Sequence, residues 1–496
     1  MSSTVFYPSS PKESLAALYV GKSLHDVPTP AVVMDVAAAR RNCQRMLDAC
    51  QTLGVSWRAH VKTHKTEELT QLQVGTDVER PVNLVVSTLS EAEFLLPLLK
   101  EYRSQGRAVN VLYGLPISRN ALGRLAAVAR ALGEGSISVL LDDPAQLSIL
   151  SGFRGLSGVT PRALMKVDMG GRRAGVIVES SRFNEVAEAA VAAHERGEII
   201  LSGLYSHAGQ SYAGDSRVAA LKMMGAEIGA MLEGADRVVA MAKGLSVPLP
   251  SLVLSGGASP TALSIQNLVV QSGGQDANQP AEVRAEAAAL SQIFETVKQH
   301  GHITEIHAGV YPTLDLQQLA AHSISSSRLS WRDIALTVLA EIHSVYPGRG
   351  ENGKSEALMG AGGLALGREF CKAYDGFAMV TPWGRPGVEM PKGDVEEHEG
   401  WICGRFSQEH GILTWGGGNK SSAAGLAKGD DHAGKTAPTP RAPPVVDELR
   451  VGQVVRLWPN HACITSSHFG WYFVVDSDRE GREDEIVDCW MKARGW

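Results

Sequence analysis

A lysine among other cations is the first candidate for chemistry. Lys62 lies at the end of a short apolar run, in the motif Arg58-Ala-His-Val-Lys-Thr-His-Lys65. Like charges and partial burial disfavour an ammonium ion, so we expect the pKa of Lys62 to be lowered. A neutral lysine attacks aldehydes and can hold pyridoxal 5'-phosphate (PLP) as a Schiff base. The alternative is a solvated basic cluster that keeps a loop soluble.

A histidine and a cysteine two residues apart form the second candidate. The motif Pro459-Asn-His-Ala-Cys-Ile-Thr465 follows a β-type run, and in a strand His461 and Cys463 would point to one face. An imidazole beside a thiolate suits zinc, and two protein ligands leave positions open for water or substrate. The alternative is a buried cysteine beside a hydrogen-bonded histidine.

The elements that must position these groups alternate between short β-branched runs and longer helical patterns. Eight such units predict a closed (β/α)8 TIM-type barrel, and a doubly wound open sheet is the rival. The eight predicted strands are Ser56–Lys62, Asn83–Ser87, Asn110–Tyr113, Ile137–Asp142, Arg162–Asp168, Ile199–His207, Ser251–Ser255 and Thr304–His307.

The strand ends of such a barrel carry its active site. Lys62, Asp168 and His207 end the first, fifth and sixth predicted strands. Barrels often bind phosphate after strands seven and eight, where Gly256 and Gly257 would let backbone N–H groups approach an anion and Tyr311 would add a hydroxyl. The alternative for the glycines is a plain tight turn. A lysine and a phosphate cradle facing one pocket suit PLP.

The character of the chain changes after residue 325, where apolar runs follow one another without long helices. We therefore expect an α/β barrel domain over residues 30–325 and a β-rich domain over residues 326–496, with residues 1–29 packing on the latter. The extended segment 29–35 precedes the helix Val36–Leu53 and should lie outside the closed barrel. Residues 416–444 are rich in Gly, Ala, Ser, Lys and Pro, and we expect a mobile insertion there.

Composition excludes several classes of protein. The 496 residues carry a net charge of -6, which argues against the basic face that binds nucleic acid. No stretch reaches the length of a membrane span, and the first residues lack the regions of a signal peptide. Six scattered cysteines do not form a disulfide framework. We expect a cytoplasmic enzyme with a small-molecule substrate.

Four motifs give the chain a family resemblance. The chain resembles the eukaryotic D-serine dehydratases, which with the D-threonine aldolases belong to the alanine-racemase-like, fold-type III PLP enzymes. The resemblance extends from Thr29 to Asp476 except for the insertion. The motifs are Arg58-Ala-His-Val-Lys-Thr-His-Lys65, Lys166-Val-Asp-Met-Gly-Gly-Arg-Arg-Ala-Gly175, His207-Ala-Gly-Gln-Ser-Tyr212 and Pro459-Asn-His-Ala-Cys463.

The resemblance implies roles for particular residues and a homodimer. It implies that Lys62 carries PLP and that His461 and Cys463 bind zinc. The aldolases have an aspartate at the second metal position, so Cys463 favours the dehydratase branch. The remaining cofactor contacts follow only from their places in the motifs, and they are Arg173, Tyr205, Gln210, Tyr212 and Tyr311. Arg172 beside Arg173 leaves the register of that motif open.

These roles predict a β-elimination. Lys62 would remove the α-proton of D-serine while zinc acts on the β-hydroxyl, and the released aminoacrylate would hydrolyse to pyruvate and ammonia. Three alternatives remain open: an aldolase for D-threonine or another 3-hydroxy-D-amino acid, a 3-hydroxy-D-aspartate dehydratase, and a non-catalytic PLP-binding protein of vitamin homeostasis.

Overall fold

The chain forms a closed parallel barrel of eight strands and a second sheet of nine strands. The computed structural model describes residues 11–269, 279–350, 353–393, 399–417 and 448–496. Within these residues the strands are β1 (Ala31–Asp35), β2 (Ser56–His60), β3 (Val82–Val86), β4 (Val109–Pro116), β5 (Ile137–Leu141), β6 (Arg162–Lys166), β7 (Ile200–Tyr205), β8 (Val253–Gly256), β9 (Ile303–Ala308), β10 (Leu336–Tyr346), β11 (Glu356–Met359), β12 (Ala378–Val380), β13 (Glu399–Phe406), β14 (Gly411–Gly417), β15 (Val454–Pro459), β16 (Trp471–Val475) and β17 (Asp488–Met491).

Helices cover the outside of the barrel and connect its strands. In the same residues they are α1 (Lys12–Tyr19), α2 (Val36–Leu53), α3 (Glu67–Val74), α4 (Leu89–Phe94), α5 (Leu96–Ser104), α6 (Arg119–Leu132), α7 (Ala145–Leu150), α8 (Phe153–Ser157), α9 (Ser181–Glu195), α10 (Arg217–Gly244), α11 (Ser259–Ser264), α12 (Ala281–Gln299), α13 (Leu316–Leu319), α14 (Gly363–Leu366) and α15 (Ala462–Ser467). Short 3₁₀ turns lie at Leu24–Asp26, Gly209–Ala213, Ile265–Leu268 and Trp331–Asp333.

The barrel consists of β2 to β9 in chain order, closed by the pairing of β2 with β9. All eight predicted strands are present, and the predicted barrel fold is confirmed. Three reactive residues lie beyond the strand ends, because β2 stops at His60, β6 stops at Lys166 and β7 stops at Tyr205. Lys62, Asp168 and His207 therefore lie in loops at the C-terminal mouth of the barrel rather than on the strands themselves.

Three layers of side chains fill the barrel, as alternating inward-facing positions require. Near the N-terminal ends of the strands, Arg58 is paired with Glu305 at 2.6 Å. An apolar layer follows, made of Val85, Leu112, Leu140, Leu164 and Tyr205. The reactive groups lie above this layer, so that the middle layer separates two polar layers.

The second sheet draws its strands from both ends of the chain. β1 lies between β10, to which it is antiparallel, and β16, to which it is parallel. The segment 29–35 thus lies outside the barrel, as predicted, and the Tyr19 ring of α1 packs on Phe473 of this sheet at 5.0 Å. The division into residues 1–29, 30–325 and 326–496 stays a prediction, since β1 joins the sheet formed mainly by the C-terminal part.

Three further predictions concern sequence features. Apart from its first two residues, the predicted mobile insertion 416–444 lies outside the described residues. None of the six cysteines forms a disulfide. No helix in the described part of the chain combines the length and the apolar character that crossing a bilayer requires.

Candidate active site

A cavity of about 600 Å³ lies where the mouth of the barrel meets the β-rich region. Both parts of the chain supply its walls, so that the predicted lysine and the predicted metal pair face the same space. The charged and polar side chains in the wall are Lys62, Arg173, His207, Tyr212, Gln317, Glu369, Lys372, His461 and Cys463.

Lys62 lies in a tight turn that follows β2. Val61 donates its N–H to Val85 O on the neighbouring strand, and Lys65 donates to Val61 O at 2.9 Å, which closes the turn around Lys62. A Cβ atom at Gly309 would lie 3.2 Å from Lys62 Cε. The glycine after β9 therefore leaves room for the lysine side chain.

The cations expected to crowd Lys62 are offset by acidic partners. Arg58 is paired with Glu305, and Lys65 lies 3.0 Å from the buried carboxylate of Glu91. His64 bonds Gln73 at 2.8 Å, and burial lowers its pKa to about 3. Glu305 and Glu91 thus offset two of the three expected cations and His64 is uncharged, so the predicted crowding of Lys62 by their charges is wrong.

Neutral imidazoles surround the lysine instead. Burial, and next to it the charges of neighbouring basic groups, holds the pKa values of His60, His207 and His307 well below the ordinary value. The His60 Nδ1 accepts the N–H of Lys62 at 3.4 Å. His307 Nε2 is buried and has no hydrogen-bond partner among the described residues. The mouth of the barrel thus holds a ring nitrogen that this part of the chain leaves unsatisfied.

The predicted metal pair lies on a helix and not on a strand, which corrects the predicted geometry. β15 ends at Pro459, His461 occupies the N-cap of α15 and Cys463 lies in its first turn. The Asp315 carboxylate accepts the N–H of Ala462 at 2.8 Å, which satisfies a first-turn donor that would otherwise remain without a partner. Both side chains nevertheless line the cavity, as predicted.

The electrostatics of this pair favour a thiolate. Burial alone would raise the pKa of Cys463, but the hydrogen bond and charge of His461, together with Lys62 and Thr63, hold it below the ordinary value. Burial would lower the pKa of His461, whereas Cys463, Asp315 and Glu369 raise it to about 9. His461 Nδ1 lies 3.5 Å from Glu369 Oε2, and no residue that the structure describes forms a hydrogen bond with it.

Within the described residues, the two candidate metal ligands lack a third. In the described ranges, no cluster of three or more His, Cys, Asp or Glu side chains is arranged to hold a metal ion. A closed structural zinc site has four protein ligands, so this pair fits only an open site.

The loop after β6 brings one arginine to the cavity. Asp168 Oδ1 accepts the N–H groups of Gly170 and Arg172 at 2.9 and 3.0 Å, which fixes the loop. Arg173 lines the cavity and Arg172 does not, so the structure resolves the register that the sequence left open. Asp168 itself shapes the loop.

The two glycines of the predicted phosphate cradle have a packing role. A Cβ atom at Gly257 would lie 2.2 Å from His307 O, and one at Gly256 would lie 2.9 Å from Ile228 Cδ1. The Gly257 carbonyl accepts a hydrogen bond from His207 Nδ1 at 2.8 Å. Their contact with a phosphate stays a prediction.

The remaining predicted contacts divide into three cases. Tyr212 lines the cavity. Tyr205 stacks on His307 at 4.3 Å and Gln210 donates to Met169 Sδ at 3.0 Å, and neither residue lines the cavity. Tyr311 is fully buried with its hydroxyl 3.9 Å from Cys43 Sγ, and its predicted cofactor contact does not fit this placement.

Two buried ionisable residues were not among the predicted site residues. Burial, with Arg173 next, lowers the pKa of Lys166 to about 8, and its ammonium lies 4.7 Å from the Tyr205 ring. Burial also raises the pKa of Glu227 to about 7, although the carboxylate accepts the N–H of Ala208 at 2.8 Å. Lys166 is the first residue of the family motif Lys166–Gly175, and that position was the signal for it in the sequence. Glu227 lies within α10, where no pattern marks it.

Family models and known relatives match almost the whole chain. The "Putative serine dehydratase domain" model matches residues 335–475, and the "Alanine racemase, N-terminal domain" model matches residues 34–272. A D-serine dehydratase of Schizosaccharomyces pombe is 34% identical over 100% of this chain and 98% of its own length. A D-serine dehydratase of Saccharomyces cerevisiae is 29% identical over 96% of this chain and 98% of its own.

Solved structures show the same fold. The D-threo-3-hydroxyaspartate dehydratase of a Delftia species superposes with a TM-score of 0.67 at 24% identity, covering 96% of this chain and 100% of its own. The same dehydratase has also been solved as a cysteine-to-alanine mutant in the metal-free form. The likeness confirms an alanine-racemase-like barrel followed by a β-rich domain.

Proposed function

The chain belongs to the D-serine dehydratase family of lyases, and on this premise we propose that it removes water from D-serine to give pyruvate and ammonia. We propose that the reaction requires PLP and zinc. The observation that carries the proposal is that Lys62, His461 and Cys463 line one cavity of about 600 Å³. Cofactor and substrate sites in proteins commonly have volumes of about 300–1,000 Å³.

The residues at the barrel mouth fit PLP. Lys62 is half-buried in the cavity wall, and Gly309 leaves space beside its side chain. Arg173 and Tyr212 line the same wall and would hold the anionic and polar edges of the cofactor. The uncharged histidines leave Lys62 and Arg173 as the cations that face the cofactor from the barrel.

The pair on α15 fits a zinc ion that keeps open positions. The lowered pKa of Cys463 favours the thiolate, and His461 Nδ1 has no hydrogen-bond partner among the described residues, which supports a metal ion at this pair. The metal-free cysteine-to-alanine mutant of the Delftia dehydratase supports a cysteine ligand in this fold.

The roles of the protein groups follow from these positions. When bound, PLP withdraws electrons from the substrate α-carbon and zinc polarises the β-hydroxyl. Lys62 Nζ would hold the cofactor and, as a free amine, would take the α-proton of the substrate. His461 and Cys463 would hold the metal, which would assist departure of the β-hydroxyl. The released aminoacrylate hydrolyses to pyruvate and ammonia.

The charge near the metal pair favours D-serine over a substrate with a second carboxylate. Glu369 lines the cavity, and its carboxylate lies beside His461. A carboxylate on the substrate β-carbon would meet this charge, which disfavours 3-hydroxy-D-aspartate. We expect Glu369→Gln to raise the kcat/KM of D-threo-3-hydroxyaspartate relative to D-serine about tenfold. An unchanged ratio would show that Glu369 does not select the substrate.

The decisive experiment follows pyruvate and acetaldehyde separately, with D-serine and D-threonine as substrates for the PLP-loaded protein. We expect pyruvate from D-serine, loss of activity on chelation and recovery with zinc. Acetaldehyde and glycine from D-threonine without pyruvate would assign the chain to the aldolases. Full PLP uptake without zinc and without either product would favour a vitamin-homeostasis protein.

A matched cysteine pair tests the metal role. Cys463→Ala should abolish elimination and zinc uptake while the PLP absorbance remains. Cys403→Ala is the control, because Cys403 is buried in the second sheet and does not line the cavity. Elimination by a zinc-free Cys463→Ala protein would remove zinc from the proposal.

The homodimer and the cytoplasmic location implied for the family are also part of the proposal. Phe370 lines the cavity, yet 72% of this apolar residue is exposed. This exposure supports the proposal that a second copy of the chain covers it in a dimer. Light scattering would then give twice the chain mass of 52.9 kDa.

A further inference from the structure

Thr63, the residue after the proposed cofactor lysine, touches the proposed metal ligand. Its hydroxyl lies 3.0 Å from Cys463 Sγ, and the residue is fully buried. The contact joins the lysine turn of the barrel to α15 of the β-rich region, 400 residues further along the chain.

The Thr63 backbone is fixed by the same region. Its carbonyl accepts the hydroxyl of Ser466 at 2.6 Å and that of Tyr472 at 3.4 Å. The turn that carries Lys62 is therefore held against α15 independently of the side-chain contact. Removing the Thr63 hydroxyl leaves these backbone contacts in place, so its effect on Cys463 can be measured alone.

We infer that Thr63 is a positioning residue that donates a hydrogen bond to the Cys463 thiolate and so orients and tunes the metal site. The inference rests on the proposed metal role of Cys463. A metal-bound thiolate carries no proton, so the hydroxyl must be the donor. A hydrogen bond to the sulfur fixes the orientation of this ligand toward the metal, and loss of such an outer contact commonly weakens metal binding.

A second threonine provides the control. Thr465 lies on the same helix and is also fully buried, but its hydroxyl donates to the carbonyl of Leu366 at 2.7 Å. Thr465→Val removes a buried threonine hydroxyl from α15, the helix of Cys463, without removing a contact of a proposed ligand.

The test measures metal binding in PLP-loaded protein. Zinc affinity is obtained by competition with a chelator. The visible bands of the cobalt(II) form are recorded as a difference against the zinc form, so that the PLP absorbance cancels. We expect Thr63→Val to weaken zinc binding about 10- to 100-fold and to shift the cobalt bands. Thr63→Ser, which keeps the hydroxyl, and Thr465→Val should both match the wild type.

The outcomes separate this inference from the proposed function. Unchanged zinc affinity and cobalt bands in Thr63→Val would overturn the role of Thr63, even if activity fell. A wild-type protein that binds neither metal would overturn the metal role of Cys463 instead. If Thr63→Val loses its PLP absorbance, Thr63→Ala, which also lacks the hydroxyl, takes its place.

Discussion

The two polar layers inside the barrel differ in how their charged groups are satisfied. In the lower layer, Arg58 donates to Glu305, to Leu84 O and to Asn110 Oδ1 at 2.6 to 3.2 Å. At the mouth, Lys62 faces a cavity, and His307 Nε2 has no hydrogen-bond partner in the described part of the chain. Although Arg58 and Lys62 share one motif, the first stabilises the fold and the second is available to a ligand. Whether a charged group has hydrogen-bonding and ionic partners within the protein, rather than its residue type, distinguishes a structural charge from a functional one.

The largest effect is expected from the unsatisfied layer. Lys62→Ala should lower elimination at least about 10³-fold and abolish the Schiff-base absorbance, because the group that holds PLP and takes the proton is lost. Lys65→Ala is the control, since the Lys65 ammonium binds Glu91 at 3.0 Å. Pyruvate release and the PLP spectrum measure both variants. A normal PLP spectrum in Lys62→Ala would show that Lys62 does not hold the cofactor. It would then contradict the distinction between a structural lower layer and a functional mouth.

The lower layer should respond in stability and not in chemistry. Glu305→Gln leaves the buried Arg58 guanidinium without its anion, and we expect it to lower the free energy of unfolding by about 3–5 kcal/mol. The kcat of the folded fraction should stay near the wild-type value. The double variant Arg58→Met/Glu305→Leu should recover most of the stability, because it leaves no unpaired charge. Denaturant unfolding measures both, and a lost kcat with unchanged stability would contradict the distinction.

Glu227 lies between these cases, since it is buried near the mouth but bonded to the backbone. Because burial raises its pKa from the ordinary 4.5 to about 7, the stabilisation from its neutral form is complete below pH 4.5 and is lost as the pH rises through about 7. Relative to Glu227→Gln, the free energy of unfolding of the wild type should therefore fall by about 3 kcal/mol over this range. Parallel pH profiles of unfolding for the two proteins would exclude this ionisation.

The smallest effect should come from Tyr311, whose hydroxyl the sequence placed in the site and the structure places in the core. This hydroxyl lies 3.9 Å from Cys43 Sγ and within side-chain hydrogen-bonding reach of Gln73, and both residues are buried. Tyr311→Phe should change the free energy of unfolding by less than about 1 kcal/mol and leave the PLP affinity unchanged. Weaker PLP binding in this variant would restore the predicted contact.

The repeating patterns of the chain predicted the fold well. Eight β-branched runs separated by amphipathic stretches indicated the barrel, because the spacing of apolar residues within each element reflects which of its faces is buried. Lys62, Arg173, Tyr212, His461 and Cys463 were predicted from motifs, and all five line the cavity. Contacts between distant segments, such as those of Thr63 and Glu227, left no local pattern, and the helix at His461 replaced a predicted strand.

The sequence by itself determined which residue types meet at the barrel mouth, since the end of each strand fixes where its next side chain lies. Only the tertiary structure decided which of those groups are satisfied. Arg58, Lys65 and His64 surround Lys62 in the sequence, yet Glu305, Glu91 and Gln73 bind them in the fold. Each of these partners comes from another segment of the chain and meets its residue only in the folded protein. The spacing of residues along the sequence does not show how far apart the two partners lie in the fold.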